Sequence, residues 1–175
     1  MLSPKQPTIA SASGDRVFTT FPVAVLTIVL NVREQVLLLS RPDSPGKWEV
    51  VNGGLEAGKT VWDGAMRECT EELGGEVRLR PIATLHALTV AYDEAISHMI
   101  SLIFVAAYDG GDICPGDDML GSRYQWADIA AILSGQVNVI VPCGQPWLFA
   151  RAQDVYKLWR ADNVELQIKL TAPQK

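Results

Sequence analysis

The residues with the clearest chemical potential lie in one short stretch, NGGLEAGKTVWDGAMRECTEELGG, which covers residues 52–75 of this 175-residue chain. Glu68, Glu71 and Glu72 are spaced so that a helix would bring their three carboxylates to one side. Like charges one turn apart weaken a helix by roughly 0.2–0.5 kcal/mol per pair. We therefore expect a positive charge to offset the repulsion, and Mg²⁺ or Mn²⁺ prefers oxygen ligands of this kind.

A cation at these glutamates would support metal-assisted hydrolysis of a phosphoanhydride bond. It could generate hydroxide from a bound water and neutralise phosphate charge. The glycine turn at Gly53 and Gly54 would offer backbone carbonyls and let a ligand approach closely. The alternative is that the glutamates form an ordinary solvated helix face and that the glycines form an ordinary turn.

A helix from Thr60 to Leu73 must position these carboxylates. Thr60 can cap its N-terminus with Asp63 at the third position, and Gly74 fits the position just after its end. One stripe of the helix is apolar and should face the core; it contains Trp62, Ala65, Met66, Cys69 and Leu73. The acidic stripe lies beside it.

The remaining chain predicts one domain of α/β class, residues 17–175, preceded by a loose segment at residues 1–16. Strands are indicated at Phe21–Val32, Gln35–Ser40, Glu76–Tyr92, His98–Tyr108 and the RYQW segment, and helices at Ile129–Leu133 and Pro146–Arg160. Strands dominate, so the helices should cover the faces of a mixed sheet. The tail segment VELQIKL alternates like an edge strand, which could extend the sheet across a homodimer.

Composition and net charge limit the kinds of partner and environment that we expect for this protein. The net charge is −5 and the pI is about 5.0, so no basic surface for a nucleic acid polymer is evident. The three cysteines are far apart, which argues against a disulfide framework or a zinc site and fits a reducing cytoplasm. The longest apolar run, FPVAVLTIVL, is too short to span a membrane and is typical of a buried strand.

The glutamate stretch resembles the Nudix box, which reads Gly, five residues, Glu, seven residues, Arg-Glu, an apolar residue, any residue, Glu-Glu, any residue, Gly. The positions that match this spacing are Gly53, Arg67, Glu68, Cys69, Glu71, Glu72 and Gly74. Lys59 stands where the box has its first Glu, and Val51 and Asn52 replace a frequent Pro-Gly. The segments RPDSPGKWEV, SHMISLIFVAAYDG and YQWADIAAIL also resemble family segments.

This resemblance implies an α/β/α sandwich around a mixed sheet. It also implies Mg²⁺- or Mn²⁺-dependent hydrolysis of a nucleoside diphosphate linked to another moiety, a small-molecule nucleotide derivative. The implied metal ligands are Glu68 and Glu72, with Glu71 as a further ligand or base. The implied backbone ligand is the carbonyl of Asn52 or Gly53, and Arg67 would orient the glutamates.

Residues outside the box are weaker candidates for substrate binding. Arg41, Trp48 and Tyr92 are candidates, although Trp48 also fits a core tryptophan. A loop acid often completes the family's site, and here the candidates are Asp118 or Asp117, with Asp93 and Glu94 as rivals. Each of these acids also fits simple loop solvation.

Two other functions compete with hydrolysis. The departures at Lys59 and Asn52 are compatible with a non-catalytic, nucleotide-binding Nudix-like regulatory module. An isoprenyl diphosphate isomerase shares the fold but needs a cysteine-bearing strand that this sequence does not show.

Lys59 raises a question of compensation, because its positive charge would oppose Arg67 where the box has a glutamate. Asp63 lies one helical turn before Arg67, at the spacing where opposite charges meet on a helix. We therefore predict that Asp63 pairs with Arg67 and takes over the role of the missing glutamate.

Overall fold

The structure, a computed structural model, describes residues 7–116 and 119–171, with only the backbone of residues 164–171. The strands are β1 (Thr8–Ala10), β2 (Val17–Thr19), β3 (Val23–Leu30), β4 (Val36–Ser40), β5 (Val51–Gly54), β6 (Arg78–Val90), β7 (Met99–Gly110) and β8 (Arg123–Ala127). The helices are α1 (Val61–Leu73), α2 (Ile129–Leu133) and α3 (Trp147–Thr171), with a short 3₁₀ turn at Pro142–Gly144.

The central sheet is mixed, as predicted. Its main path runs in the order β6-β7-β3-β4-β8, and β5 branches from it by pairing with β3. β3 is parallel to β7 and antiparallel to β4 and β5. One edge of β3 is divided, because Leu30 pairs with Val36 of β4 whereas Val25 pairs with Gly53 of β5. This division places the glycines of the box beside the start of the most central strand.

Both faces of the sheet are covered, which confirms the α/β/α sandwich. Ile28 and Leu30 of β3 join the core cluster that contains Phe149 of α3. Val29, which points to the opposite face, joins the cluster that contains Leu73 of α1. Because alternate residues of the same strand are buried on both sides, β3 is a continuous apolar run, as expected for a doubly covered strand.

Helix α1 forms where the sequence predicted it and for the predicted reasons. The Thr60 hydroxyl accepts a hydrogen bond from the Asp63 N–H at 3.1 Å. Gly74 ends the helix with a φ of 96°, a conformation that favours glycine. Ala65, Cys69 and Leu73 are buried against the sheet. The cap and the apolar stripe together fix which way the acidic stripe of α1 faces.

Two terminal segments differ from expectation. The segment predicted to be loose, residues 1–16, instead contains β1, which pairs antiparallel with β2 at the start of the predicted domain through a turn in which Gly14 has a φ of 74°. The prediction that the tail segment VELQIKL forms an edge strand is wrong, because α3 continues as a helix to Thr171. No Gly or Pro interrupts residues 147–171, so no breaker ends that helix. The sequence argument for a strand-mediated homodimer therefore fails.

Within the described ranges, none of the helices combines the length and the apolar character needed to cross a bilayer.

Candidate active site

Arg67 is the centre of the polar cluster on α1. Its Nη1 donates to the Glu71 carboxylate, and its Nη2 donates to the Glu68 carboxylate and to the Gly54 carbonyl, the latter at 3.0 Å. The Glu56 carboxylate lies 3.8 Å from Nε. Arg67 thus pairs with Glu71, one turn along the helix, and the same guanidinium ties α1 to β5.

Electrostatics keep this guanidinium charged. Partial burial would lower the pKa of Arg67, but the charges of Glu68, Glu71 and Glu56 outweigh it and raise that pKa. The Nε atom is shielded from solvent and has no hydrogen-bond partner among the residues that the structure describes. Arg67 thus acts as a fixed positive charge that offsets the repulsion between the glutamates.

The Glu68 carboxylate is seated directly on the backbone of Gly53. A Cβ added at Gly53 would lie 2.0 Å from the Glu68 Cδ and 2.2 Å from each carboxylate oxygen, so any side chain there would displace the Glu68 carboxylate. The Glu68 side chain is 12% exposed. The box glycine therefore makes room for an acid next to the carbonyls of β5.

Glu72 is buried more deeply than the sequence suggested, with 1% of its surface exposed. The Glu71 side chain, by contrast, is 35% exposed. Burying a carboxylate is unfavourable unless nearby charge or hydrogen bonds compensate it. The alternative of an ordinary solvated helix face is therefore wrong for Glu68 and Glu72, since both carboxylates lie largely inside the protein.

The cluster has the donor chemistry of a hard-cation site, although its side chains are arranged around Arg67. Within the described residues, no three His, Cys, Asp or Glu side chains are grouped so that they could hold a metal ion. Instead, Arg67 lies between Glu68 and Glu71. Carboxylate oxygens and the adjoining carbonyls of β5 are the ligands that Mg²⁺ and Mn²⁺ prefer. The donor set present therefore fits such a cation by its chemistry, with Arg67 as the competing positive charge.

Asn52 and Arg41 belong to a second polar group at the start of β5. The Asn52 amide donates to the Val50 carbonyl at 3.0 Å and to the Glu49 carboxylate at 3.4 Å. The Arg41 Nε lies 2.6 Å from the other Glu49 oxygen. Glu49 was not identified from the sequence as part of a polar group. The feature that could have indicated it is that Glu49 is the one acidic residue of the segment KWEVV.

The other predicted substrate residues are dispersed. Trp48 packs against the core on the α3 side, so the core interpretation of this tryptophan is confirmed. Tyr92 is 68% exposed, in the loop between β6 and β7. In the same loop, Asp93 accepts hydrogen bonds from the N–H groups of Ala95 and Ile96, at 2.8 and 2.6 Å. Asp93 therefore shapes the loop, and its rival Glu94 is an exposed residue of that loop.

Asp117 and Asp118, the preferred candidates for a loop acid, lie outside the described residues.

The predicted compensation by Asp63 is wrong. The Asp63 carboxylate accepts a hydrogen bond from the Thr60 hydroxyl at 2.7 Å, so it completes the helix cap. Across the described part of the chain, the acids paired with Arg67 are Glu56, Glu68 and Glu71. Helical spacing alone favoured Asp63, but Arg67 extends towards β5 and the turn that follows it.

Cys69, the apolar residue of the box, is a structural thiol. Burial raises the pKa of Cys69 to about 12, and a hydrogen bond with Thr27 only partly opposes that effect. A thiol of this kind is neither a nucleophile nor a metal ligand at neutral pH.

Comparison with known sequences identifies the domain that carries this cluster. A sequence model of the NUDIX domain matches residues 20–141. The chain is 32% identical over 111 residues to the NAD-capped RNA hydrolase NudC of Chromobacterium violaceum, covering 62% of this chain and 38% of that protein. It is also 32% identical over 79 residues to the dihydroneopterin triphosphate diphosphatase of Escherichia coli, covering 45% and 53%. The chain thus spans about two fifths to half of the length of these curated relatives.

Solved structures show the same fold at low sequence identity. An ADP-ribose pyrophosphatase from Streptococcus suis superimposes with a TM-score of 0.62 at 12% identity, covering 79% of this chain and 93% of that one. The dihydroneopterin triphosphate pyrophosphohydrolase of E. coli gives 0.53 at 19% identity, covering 82% and 99%. With its domain match over most of the chain, its box on α1 and its sandwich fold, the protein belongs to the Nudix family.

Proposed function

We propose that this protein hydrolyses a phosphoanhydride bond in a nucleoside diphosphate linked to another moiety, with Mg²⁺ or Mn²⁺ as cofactor. The observation that carries the proposal is the burial of the Glu72 side chain together with the close approach of the Glu68 carboxylate to the box glycine, Gly53. Glu72 is 1% exposed, and Glu68 occupies the space that a side chain at residue 53 would fill. Stability alone gives no reason to bury adjacent carboxylates in this way.

In this proposal each residue of the box has its own role, which depends on its position. Glu68 and Glu72 would hold the cation with the carbonyl of Gly53 or Asn52, and Glu71 would serve as a further ligand or as the base. When bound, the cation would supply an activated water and neutralise phosphate charge. Arg67 keeps the glutamates in place from the side of β5, through its bond to the Gly54 carbonyl.

The relatives support the reaction class. Their names describe hydrolysis of a capped RNA and of a pterin triphosphate, and the structural neighbour acts on ADP-ribose. These substrates differ, but all three names describe hydrolysis, and two of them, a diphosphatase and a pyrophosphatase, specify a phosphate-containing bond. We accordingly place the substrate among small nucleotide derivatives and leave its second moiety to the screen below.

A non-catalytic nucleotide-binding module is the second candidate, and two observations favour it. Lys59 replaces the first box glutamate, and Arg67 lies between Glu68 and Glu71, where it would compete with a cation. Such a module would bind a nucleotide derivative and regulate a partner without turnover.

One experiment separates these candidates. Phosphate release would be measured across nucleoside diphosphate derivatives with Mg²⁺ and with Mn²⁺, alongside the melting temperature with each compound. Hydrolysis predicts turnover that is lost in Glu68→Gln and kept in Glu76→Gln, an exposed acid just beyond the box. A thermal shift with no turnover on any compound would instead support the binding module, because a ligand that binds only the folded state raises its stability.

A further inference from the structure

The Nε group of Arg67 is the starting point, because it is a donor inside the site that lacks an acceptor. It is shielded from solvent and has no hydrogen-bond partner in the described ranges of the chain, while the other two guanidinium nitrogens are satisfied by Glu71, Glu68 and the Gly54 carbonyl. The Glu56 Oε2 lies 3.8 Å from it, within ion-pair distance but beyond a hydrogen bond. A small movement of Glu56 would complete the coordination of Arg67.

The turn between β5 and α1 explains why Glu56 occupies this place. The Lys59 N–H is directed to the Glu56 carbonyl at 3.4 Å, and Gly58 adopts a φ of 80° between them. Lys59 is exposed, whereas Glu56 is within ion-pair distance of Arg67. Because the Glu56 side chain is 56% exposed, it keeps the freedom to move towards Nε.

We infer that Glu56 is a positioning residue, which retains Arg67 when a cation takes Glu68 and engages Glu71 as its further ligand. This inference rests on the proposed function only in assigning a cation to those two glutamates. A cation removes two of the three carboxylates around Arg67. The Gly54 carbonyl and Glu56 are then the contacts that hold the guanidinium, and the Glu56 charge lowers its tendency to recapture Glu68. Glu56, three residues before Lys59, would thereby hold Arg67 by its negative charge, which is the role that a carboxylate at residue 59 would have.

The inference is tested by Mn²⁺ affinity, measured by calorimetry on the full chain without substrate. Glu56→Ala should weaken Mn²⁺ binding by about 10–100-fold, the usual effect of losing a residue that orients metal ligands. Glu56→Gln should be intermediate, because its amide oxygen can still accept from Nε but carries no charge. Adding Lys59→Glu to Glu56→Ala should recover several-fold of the lost affinity. Glu76→Gln is the matched control and should bind Mn²⁺ like the wild type.

Turnover gives a second readout that a purely structural role would not produce. With a cleaved substrate in hand, Glu56→Ala should lower kcat at saturating Mn²⁺ more than it changes KM, with an unchanged melting temperature of the metal-free protein. Wild-type Mn²⁺ affinity in Glu56→Ala, or no recovery on adding Lys59→Glu, would overturn the inference. So would a wild-type protein that binds no Mn²⁺. Mn²⁺ binding without turnover on any compound would contradict hydrolysis alone, since the affinity comparison still decides the role of Glu56.

Discussion

Helices α1 and α3 cover opposite faces of the same sheet, but they bury different kinds of residue. On α3, Leu148 and Phe149 are fully buried, while Asp154 and Lys157 are exposed. On α1, Glu72 is nearly as buried as its neighbour Leu73, at 1% and 0%. α3 follows the pattern that stability requires, with apolar residues inside and charges outside. The buried acid on α1 needs another reason, and the proposed metal site would provide one.

The arginines of the two helices show the same contrast. Arg151 and Arg160 of α3 lie over the rings of Trp147 and Tyr156, at 5.8 and 5.6 Å, and both remain exposed. Arg67 of α1 is instead enclosed by carboxylates. On α3 the arginines cover aromatic surface, whereas on α1 the arginine organises charge.

The largest expected effect is on turnover, from Glu68→Gln and Glu72→Gln. Each variant keeps its side-chain shape but loses the charge that would bind the cation, so we expect kcat to fall by ~10²–10⁴-fold. Removing like-charge repulsion should leave the free energy of unfolding unchanged or slightly raised. Steady-state kinetics and urea unfolding check both parts, with Glu76→Gln as control. Near-wild-type rates in both variants would show that the buried acids of α1 are not the site.

A variant of α3 should have the opposite pair of effects, a loss of stability without a loss of turnover. Phe149→Ala should lower the free energy of unfolding by about 3–5 kcal/mol, because it removes a fully buried ring from the core. The kcat of the molecules that remain folded should not change. Leu158→Ala on the same helix should alter stability by less than about 0.5 kcal/mol, since Leu158 is 67% exposed. Urea unfolding measures the first effect, and a large loss of kcat in folded Phe149→Ala would remove the distinction between the helices.

A smaller effect should distinguish two adjacent glycines of β5. Gly53→Ala places a methyl group in the space of the Glu68 carboxylate, and we expect Mn²⁺ affinity and kcat to fall by about 10–100-fold. At Gly54, an added Cβ meets nothing within 4 Å, so Gly54→Ala should behave almost like the wild type. Calorimetry and kinetics on both variants test this. Equal losses would mean that backbone effects of alanine in β5, rather than contact with Glu68, determine the result.

The smallest effect concerns thiol reactivity at pH 8. Burial raises the pKa of Cys69 to about 12, so its thiolate is scarce there, whereas Cys114 is exposed. Iodoacetamide followed by mass spectrometry should label Cys114 first and Cys69 only after denaturation. Because the folded pKa of Cys69 is the higher one, its contribution to stability is fully present below the unfolded pKa of about 8.5. That contribution declines as the pH rises towards 12. Native labelling of Cys69 as fast as Cys114 would contradict the burial on which both statements depend.

Local signals explain which features could be predicted from sequence. Thr60, Gly74 and the apolar stripe specify α1 without reference to the rest of the chain, and they orient the glutamates as a consequence. The long strands β3, β6 and β7 are likewise recognisable from composition and turns. Their arrangement in a mixed sheet followed from the family resemblance and from the dominance of strands.

The features that escaped prediction depend on tertiary placement. Glu49 and Glu56 lie in segments with no regular period, so their contacts with Arg41 and Arg67 depend on how β5 and its turn are folded. Asp63 satisfied the helical spacing but was drawn into the cap of α1. The alternation of VELQIKL indicated a strand, yet that segment continues a helix that no residue interrupts.

The branching of the sheet at β5 has a consequence for how the site opens. β5 pairs with β3 but lies off the path β6-β7-β3-β4-β8, so it can separate without breaking that path. Local openings of this kind are visible as amide hydrogen exchange that is faster than global unfolding allows. The amides of residues 51–54 should therefore exchange well before those of the central β3–β7 pair. A cation bound between β5 and α1 would slow the exchange of these amides towards that of the β3–β7 pair. Their protection from exchange would therefore measure how fully the cation site is occupied.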